Sequence, residues 1–117
     1  MSFVRRSEEK EVFRKKIQDG PGEAEMHRLL NSPEEMFGKG RLFNHLFLEP
    51  GAGVGWHVHH GDGEIYYILK GEGEYSDNGT LMTVRAGDVT SVSDGEGHSL
   101  INNGPETLEA IALILYT

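Results

Sequence analysis

From residue 40 to the C-terminus, glycines and Asp-Gly or Asn-Gly turns cut the chain into apolar runs of roughly five to nine residues. Runs of that length suit strands and are too short for packed helices. The turn Asp77-Asn78-Gly79 holds an Asn-Gly pair, which supplies the positive φ angles of a tight hairpin. Strand-like runs at 41–49, 65–69, 71–75, 81–85, 88–92, 98–102 and 108–115 follow one another at even spacing. The expected class is therefore all-β, an antiparallel barrel or sandwich. At 117 residues the chain suits one domain, and 16 glycines beside 37% apolar residues speak against a helical bundle.

One stretch among these runs carries chemistry. Residues 51–71 place His57, His59, His60 and Glu64 between Gly51 and Gly71. Histidines two apart on an extended strand leave the same face, so His57 and His59 offer two metal ligands while His60 points away. After the Gly61-Asp62-Gly63 turn, Glu64 is expected to return on the neighbouring strand and face them. Along its own run Glu64 shares a face with Tyr66 and Ile68, with Tyr67 and Leu69 opposite. A fourth donor comes from 87–102, where His98 heads a strand. Three imidazoles and one carboxylate suit one divalent transition metal ion (Mn, Fe, Co, Ni, Cu or Zn) over Mg or Ca. Four protein donors on an octahedral ion leave two positions open, as a catalytic site requires.

These two stretches resemble the two signature motifs of the cupin superfamily. The first motif reads Gly, five residues, His-x-His, three or four residues, Glu, six residues, Gly; Gly51, His57, His59, Glu64 and Gly71 meet it throughout. The second reads Gly, five residues, Pro-x-Gly, two residues, His, three residues, Asn; Gly87, Gly95, His98 and Asn102 fit, and Ser93 replaces the proline. That departure loosens a turn and removes no ligand. Residues 72–86 separate the motifs, a short spacer similar to that of small microbial single-domain members of the cupin 2 type. The resemblance implies a double-stranded β-helix, or jelly roll, over residues 20–117, behind a charged N-terminal arm at 1–19. It implies His57, His59, Glu64 and His98 as the metal ligands. For function it implies a metal-dependent enzyme, oxalate decarboxylase-like or dioxygenase-like, acting on a small carboxylate, enol or sugar-derived substrate. A non-catalytic small-molecule or metal-binding module is the alternative. Similar small cupins are commonly dimers that exchange or pack N-terminal strands, so a homodimer is expected.

Other pocket candidates follow from alternation. Tyr66 shares the face of Glu64, and His60 is placed at the rim or behind the ligands. The run 41–49 alternates Leu42, Asn44, Leu46 and Leu48 with Phe43, His45 and Phe47. Both rows are mostly apolar, so the pattern leaves open which faces inward and whether Asn44 or His45 enters the pocket. In the arm, Ser7 is positioned to cap a short amphipathic helix, with acids at its start and bases at its end; an extended arm is the other reading. Residues 23–30, which include His27, are expected as a strand, and 31–38 as a single helical turn.

Charge narrows the partners. The formal net charge is −8; residues 1–19 hold six Lys/Arg against four Asp/Glu, and the remainder hold five against fifteen. So acidic a body repels nucleic acid. An anionic substrate would need the metal and a local base, such as Arg41 or Arg85, to outweigh that field. Cysteine is absent, so neither disulfides nor thiolate ligands are available. No apolar run approaches the roughly 20 residues of a membrane span. The start is charged, so a soluble cytoplasmic protein is expected.

Overall fold

Among the described residues the short runs form ten strands: β1 (Val12–Lys15), β2 (Ala24–Leu30), β3 (Gly40–Leu48), β4 (Gly53–Val58), β5 (Asp62–Lys70), β6 (Glu72–Asp77), β7 (Thr80–Arg85), β8 (Val89–Val92), β9 (Gly97–Ile101) and β10 (Leu108–Tyr116). The structure, a computed structural model, describes residues 2–117. Two antiparallel sheets face each other, one ordered β1-β2-β3-β10-β5-β8 and the other β4-β9-β6-β7. This is the expected jelly roll, left as two opposed sheets without closing into one hydrogen-bonded cylinder.

Side-chain alternation explains the layering. On β10, Leu108, Ala110, Ala112 and Ile114 are buried between the sheets, and Glu109, Ile111 and Leu113 lie half-buried on the outer face. On β3 the inward row is Asn44, Leu46 and Leu48, so the strand's direction, open from the sequence, is fixed. Leu100 and Tyr75 complete the interior from the smaller sheet. The β6–β7 hairpin turns at Asn78 (φ 51°) and Gly79 (φ 97°), the two positive angles expected there. Asn102 is fully buried and staples the following loop, its amide donating to the carbonyls of Leu48 (2.8 Å) and Glu106 (2.7 Å).

The Ser7-capped amphipathic helix does not form. Ser7–Glu9 is a single 3-10 turn with Arg6 at its cap position, and the chain is extended from Val12. β-branched and aromatic residues at 12 and 13 favour a pleated strand, and antiparallel pairing with β2 supplies its hydrogen bonds. Phe13 and Ile17 pack against the core. The segment after β1 then crosses to the smaller sheet, where Gly55 N donates to the Ile17 carbonyl (3.1 Å) and Gly53 N to that of Pro21 (2.9 Å). The crossing is so close that a β-carbon on Gly55 would collide with the Gln18 carbonyl. Upstream, the Arg5 guanidinium forks onto Glu35 at 3.0 and 2.9 Å and donates to the Leu29 carbonyl at 2.9 Å, which ties down the start of the chain.

Candidate metal centre

His57 and His98 face each other across the β4–β9 pair, in register. His59 lies one residue beyond β4, where its backbone N–H donates to the Glu96 carbonyl (2.9 Å) and its carbonyl accepts from Gly95 N (2.8 Å). Those bonds keep the chain extended, so His59 still points the way His57 does. Glu64 arrives differently from expectation. Its strand β5 follows β4 in sequence but belongs to the facing sheet, because the turn through Gly61 (φ 77°) carries the chain across the interior. The four side chains are thus clamped between the sheets, three from one and one from the other.

Their donor atoms converge. Glu64 Oε1 lies 3.4, 3.1 and 2.9 Å from Nε2 of His57, His59 and His98, and His98 Nε2 lies 3.1 and 3.3 Å from those of His57 and His59. Adjacent ligands on an octahedral ion with bonds of about 2.1 Å sit about 3 Å apart, so these spacings match the edges of one coordination shell. The imidazoles are held from behind. His57 Nδ1 donates to the Gly55 carbonyl at 2.8 Å, His59 Nδ1 to Asp62 Oδ1 at 2.7 Å, and His98 Nδ1 to the Tyr75 hydroxyl oxygen at 2.8 Å. A neutral imidazole with Nδ1 donating presents a lone pair at Nε2. Three such lone pairs and a carboxylate aimed at one point repel one another unless a cation or protons lie between them. The four residues can therefore hold a metal ion.

The electrostatics agree. Burial alone would push the Glu64 carboxyl up, but the surrounding imidazoles outweigh it and hold the group well below the ordinary carboxylate range. Glu64, with help from Asp62, raises His59 against the effect of burial, whereas burial lowers His98. Asp62 stays ionised despite its burial because Arg41 Nε donates to it at 2.8 Å and His59 faces its other oxygen. Tyr66 lies flat on His98 (ring centroids 5.0 Å, interplanar 10°), and burial followed by the Glu64 charge pushes its hydroxyl well above the ordinary value.

Beside this cluster lies a cavity of about 380 Å³. Its wall includes His57, His59, Glu64 and Tyr66 at one end and Asn44, Arg28 and Lys15 at the other. Of the four pocket candidates, Tyr66 and Asn44 are placed there and two are not. His45 points outward, stacks on Phe47 (centroids 4.1 Å) and bonds Glu109 (3.0 Å), because the inward row of β3 is the one with Asn44. His60 is exposed at the turn, consistent with alternation past His59. Arg85 lies on β7 away from this cavity, while Arg41 lines it.

A family model described as Cupin domain matches residues 44–114. The chain belongs to the cupin family. This cupin is 48% identical over 99 residues to an oxalate-binding protein of Thermotoga maritima, across 85% of this chain and 81% of that protein. A crystal structure described as a predicted oxalate decarboxylase from Thermotoga maritima matches with a TM-score of 0.92 at 46% identity, across 98% of this chain and 100% of the other. A double-stranded β-helix protein from Klebsiella pneumoniae, at 23% identity and a TM-score of 0.67 over 82% of this chain and 76% of its own, shares the fold.

Several residues of this cupin escaped the sequence reading. Asp62 reads as a turn residue and Tyr75 as a strand aromatic, yet each anchors an imidazole of the cluster. The only local signal was a carboxylate three residues from His59. Phe13, Lys15 and Arg28 reach the cavity because β1 and β2 extend the larger sheet beyond β3. The Ser93 departure from the cupin motif has a local remedy: its N–H, which proline would lack, donates to Glu96 Oε1 at 2.8 Å, and Gly95 takes φ 86° to close the turn.

Proposed function

We propose that this cupin holds one divalent transition metal ion through His57, His59, Glu64 and His98 and uses it to bind a small carboxylate, with oxalate the first candidate. The observation that carries the reading is the convergence of four donors beside a cavity whose other charged wall residues are cations. Bound there, the ion would supply Lewis acidity to a chelating, oxygen-bearing ligand. The chain's own residues do the rest. Glu64 keeps its negative charge under burial, Asp62 and Tyr75 orient the imidazoles, and Arg41, which donates to Asp62 beside the cluster, offsets the protein's acidic field there. The name of the oxalate-binding relative supports the ligand class.

Among the described residues of the cavity wall, Glu64 is the one carboxylate, and it is committed to the cluster. Loss of carbon dioxide from a diacid needs a proton at the vacated carbon, and a second carboxyl group to deliver it is not in the wall. This favours binding without turnover. The enzyme reading rests on Tyr66, whose buried hydroxyl stays protonated at neutral pH and lies next to Glu64. The test is metal content of the purified protein beside a His57→Ala/His98→Ala variant, followed by calorimetric titration with oxalate. Near one equivalent of metal, lost in the variant, with saturable oxalate binding to the loaded form only, is the expected result. Oxalate binding that ignores metal sinks the proposal. Release of formate or carbon dioxide that disappears in Tyr66→Phe would move the reading to the enzyme.

A further inference from the structure

The inner face of the larger sheet carries a row in register across four strands: Arg28 on β2, Asn44 on β3, Ala112 on β10 and Tyr66 on β5. Ala112 ends at its β-carbon, so the space above it stays open between Asn44 and Tyr66. The resulting cavity has polar ends and an apolar middle. Its near end is the imidazole–carboxylate cluster; Leu42 with Ile114 on one side and Leu46 on the other flank the row, and its far side is Asn44 and Arg28, with Lys15 on the edge strand.

The far end is short of acceptors. Asn44 is 1% exposed, yet its amide Nδ2 meets only the Met26 sulfur, at 3.5 Å, a weak acceptor. Among the described residues Arg28 Nε is buried with no hydrogen-bond partner; Glu11 approaches it at 3.4 Å without the alignment of a bond, and the guanidinium rests on the Phe13 ring at 4.7 Å. Buried donors without acceptors are costly, and each would gain from an anionic oxygen. The volume points the same way. A two-carbon diacid has only six non-hydrogen atoms and leaves most of a 380 Å³ cavity to water.

Resting on the carboxylate reading above, we propose that the cavity takes organic acids longer than oxalate: the chelating end lies at His57, His59, Glu64 and His98, and a second anionic group, beyond an apolar spacer, is received by Arg28, Asn44 and Lys15. Three strand spacings separate Arg28 from Tyr66, roughly 14 Å; after the reach of the side chains this leaves a spacer of roughly three to five carbons. Arg28 and Lys15 thereby become specificity-determining residues supplied by the two N-terminal strands.

The experiment is calorimetric titration of the metal-loaded protein with oxalate, with 2-oxo diacids of roughly six to eight carbons, and with 2-oxo monoacids of matching length. A charge-assisted bond at the far end should make the diacid bind about tenfold or more tighter than its matched monoacid. That gain should vanish in Arg28→Gln and shrink in Lys15→Gln, an exposed position where folding is not at risk, while oxalate affinity holds in both. Equal affinity of diacids and monoacids, or variants that weaken oxalate as much as the long diacids, would overturn the proposal. If oxalate binds and length brings no gain, this inference alone fails. If nothing binds to protein shown to hold metal, the carboxylate reading fails and this one with it.

Discussion

Around the imidazole cluster, each ring is fixed from behind by a short hydrogen bond, and Asp62 is itself fixed by Arg41. Across Ala112, in the same interior, Asn44 has a thioether for a partner and Arg28 Nε has none. The two ends differ in how much of their geometry is decided before anything binds. A coordination shell demands donors placed to within a few tenths of an ångström, and three rigid rings with anchored Nδ1 atoms supply it. A site for the variable end of an organic acid can use longer, less constrained side chains, because a charge-assisted bond tolerates some adjustment. Preorganisation is concentrated where a metal ion would need it.

The largest effect should come from loosening the fixed end. Asp62→Asn keeps the shape but removes the charge that orients His59 and pairs with Arg41, and loss of such an outer partner costs about 10–100-fold in metal affinity. Asn44→Ala, at the loose end, should leave metal affinity unchanged. Competition titration against a chelator measures both. If the two variants behave alike, the contrast between the ends is wrong.

Next comes the seam that closes the cavity's side. Gly55→Ala forces a β-carbon into the Gln18 carbonyl, where backbone must yield, and should cost about 1–3 kcal/mol by denaturant unfolding. Because Gly55 also accepts from His57 Nδ1, the same change should reach the metal end and lower metal affinity. A variant as stable as the parent would show that the segment 17–21 is held by other contacts.

How much of this was legible follows the same division. His57, His59, Glu64 and His98 stand at motif spacing, and alternation alone placed Tyr66 with them and His60 away, since a strand's two-residue period fixes direction locally. The facing position of Glu64 was also legible, but not its sheet, because whether consecutive strands pair or cross the interior depends on the turn and on pairings distant in sequence. Asn44 and His45 could not be separated: with Leu and Phe on both rows of β3, hydrophobicity carries no sign, and the packing of one row against the facing sheet decides. Lys15 and Arg28 were invisible as site residues for a related reason. Their place depends on β1 and β2 joining the sheet beside β3, and nothing within residues 1–30 reports that neighbour.

The smallest effect is a slope with pH, and it tests whether the fixed end holds a proton when it holds no metal. Glu64 raises His59 above its ordinary value of 6.5. A raised base stabilises the metal-free fold fully below that value, and the contribution is lost as pH climbs through the folded pKa. His98 and Glu64 are lowered, so their contributions are present above 6.5 and 4.5 and fade as pH falls. Above 6.5, as the contribution of His98 levels off, the raised His59 is the group that still holds a proton in the metal-free fold, and metal-free stability should decline as pH climbs through its folded pKa, by at most about 1.4 kcal/mol per pH unit for one proton. Metal binding displaces that proton, so its affinity should rise over the same window. The gap in Tm between loaded and metal-free protein should therefore widen as pH climbs above 6.5, and Asp62→Asn, which removes part of what raises His59, should flatten that rise. A gap that stays constant with pH in the parent would mean that the ion does not compete with a proton at His59, and the four-donor assignment would have to be abandoned.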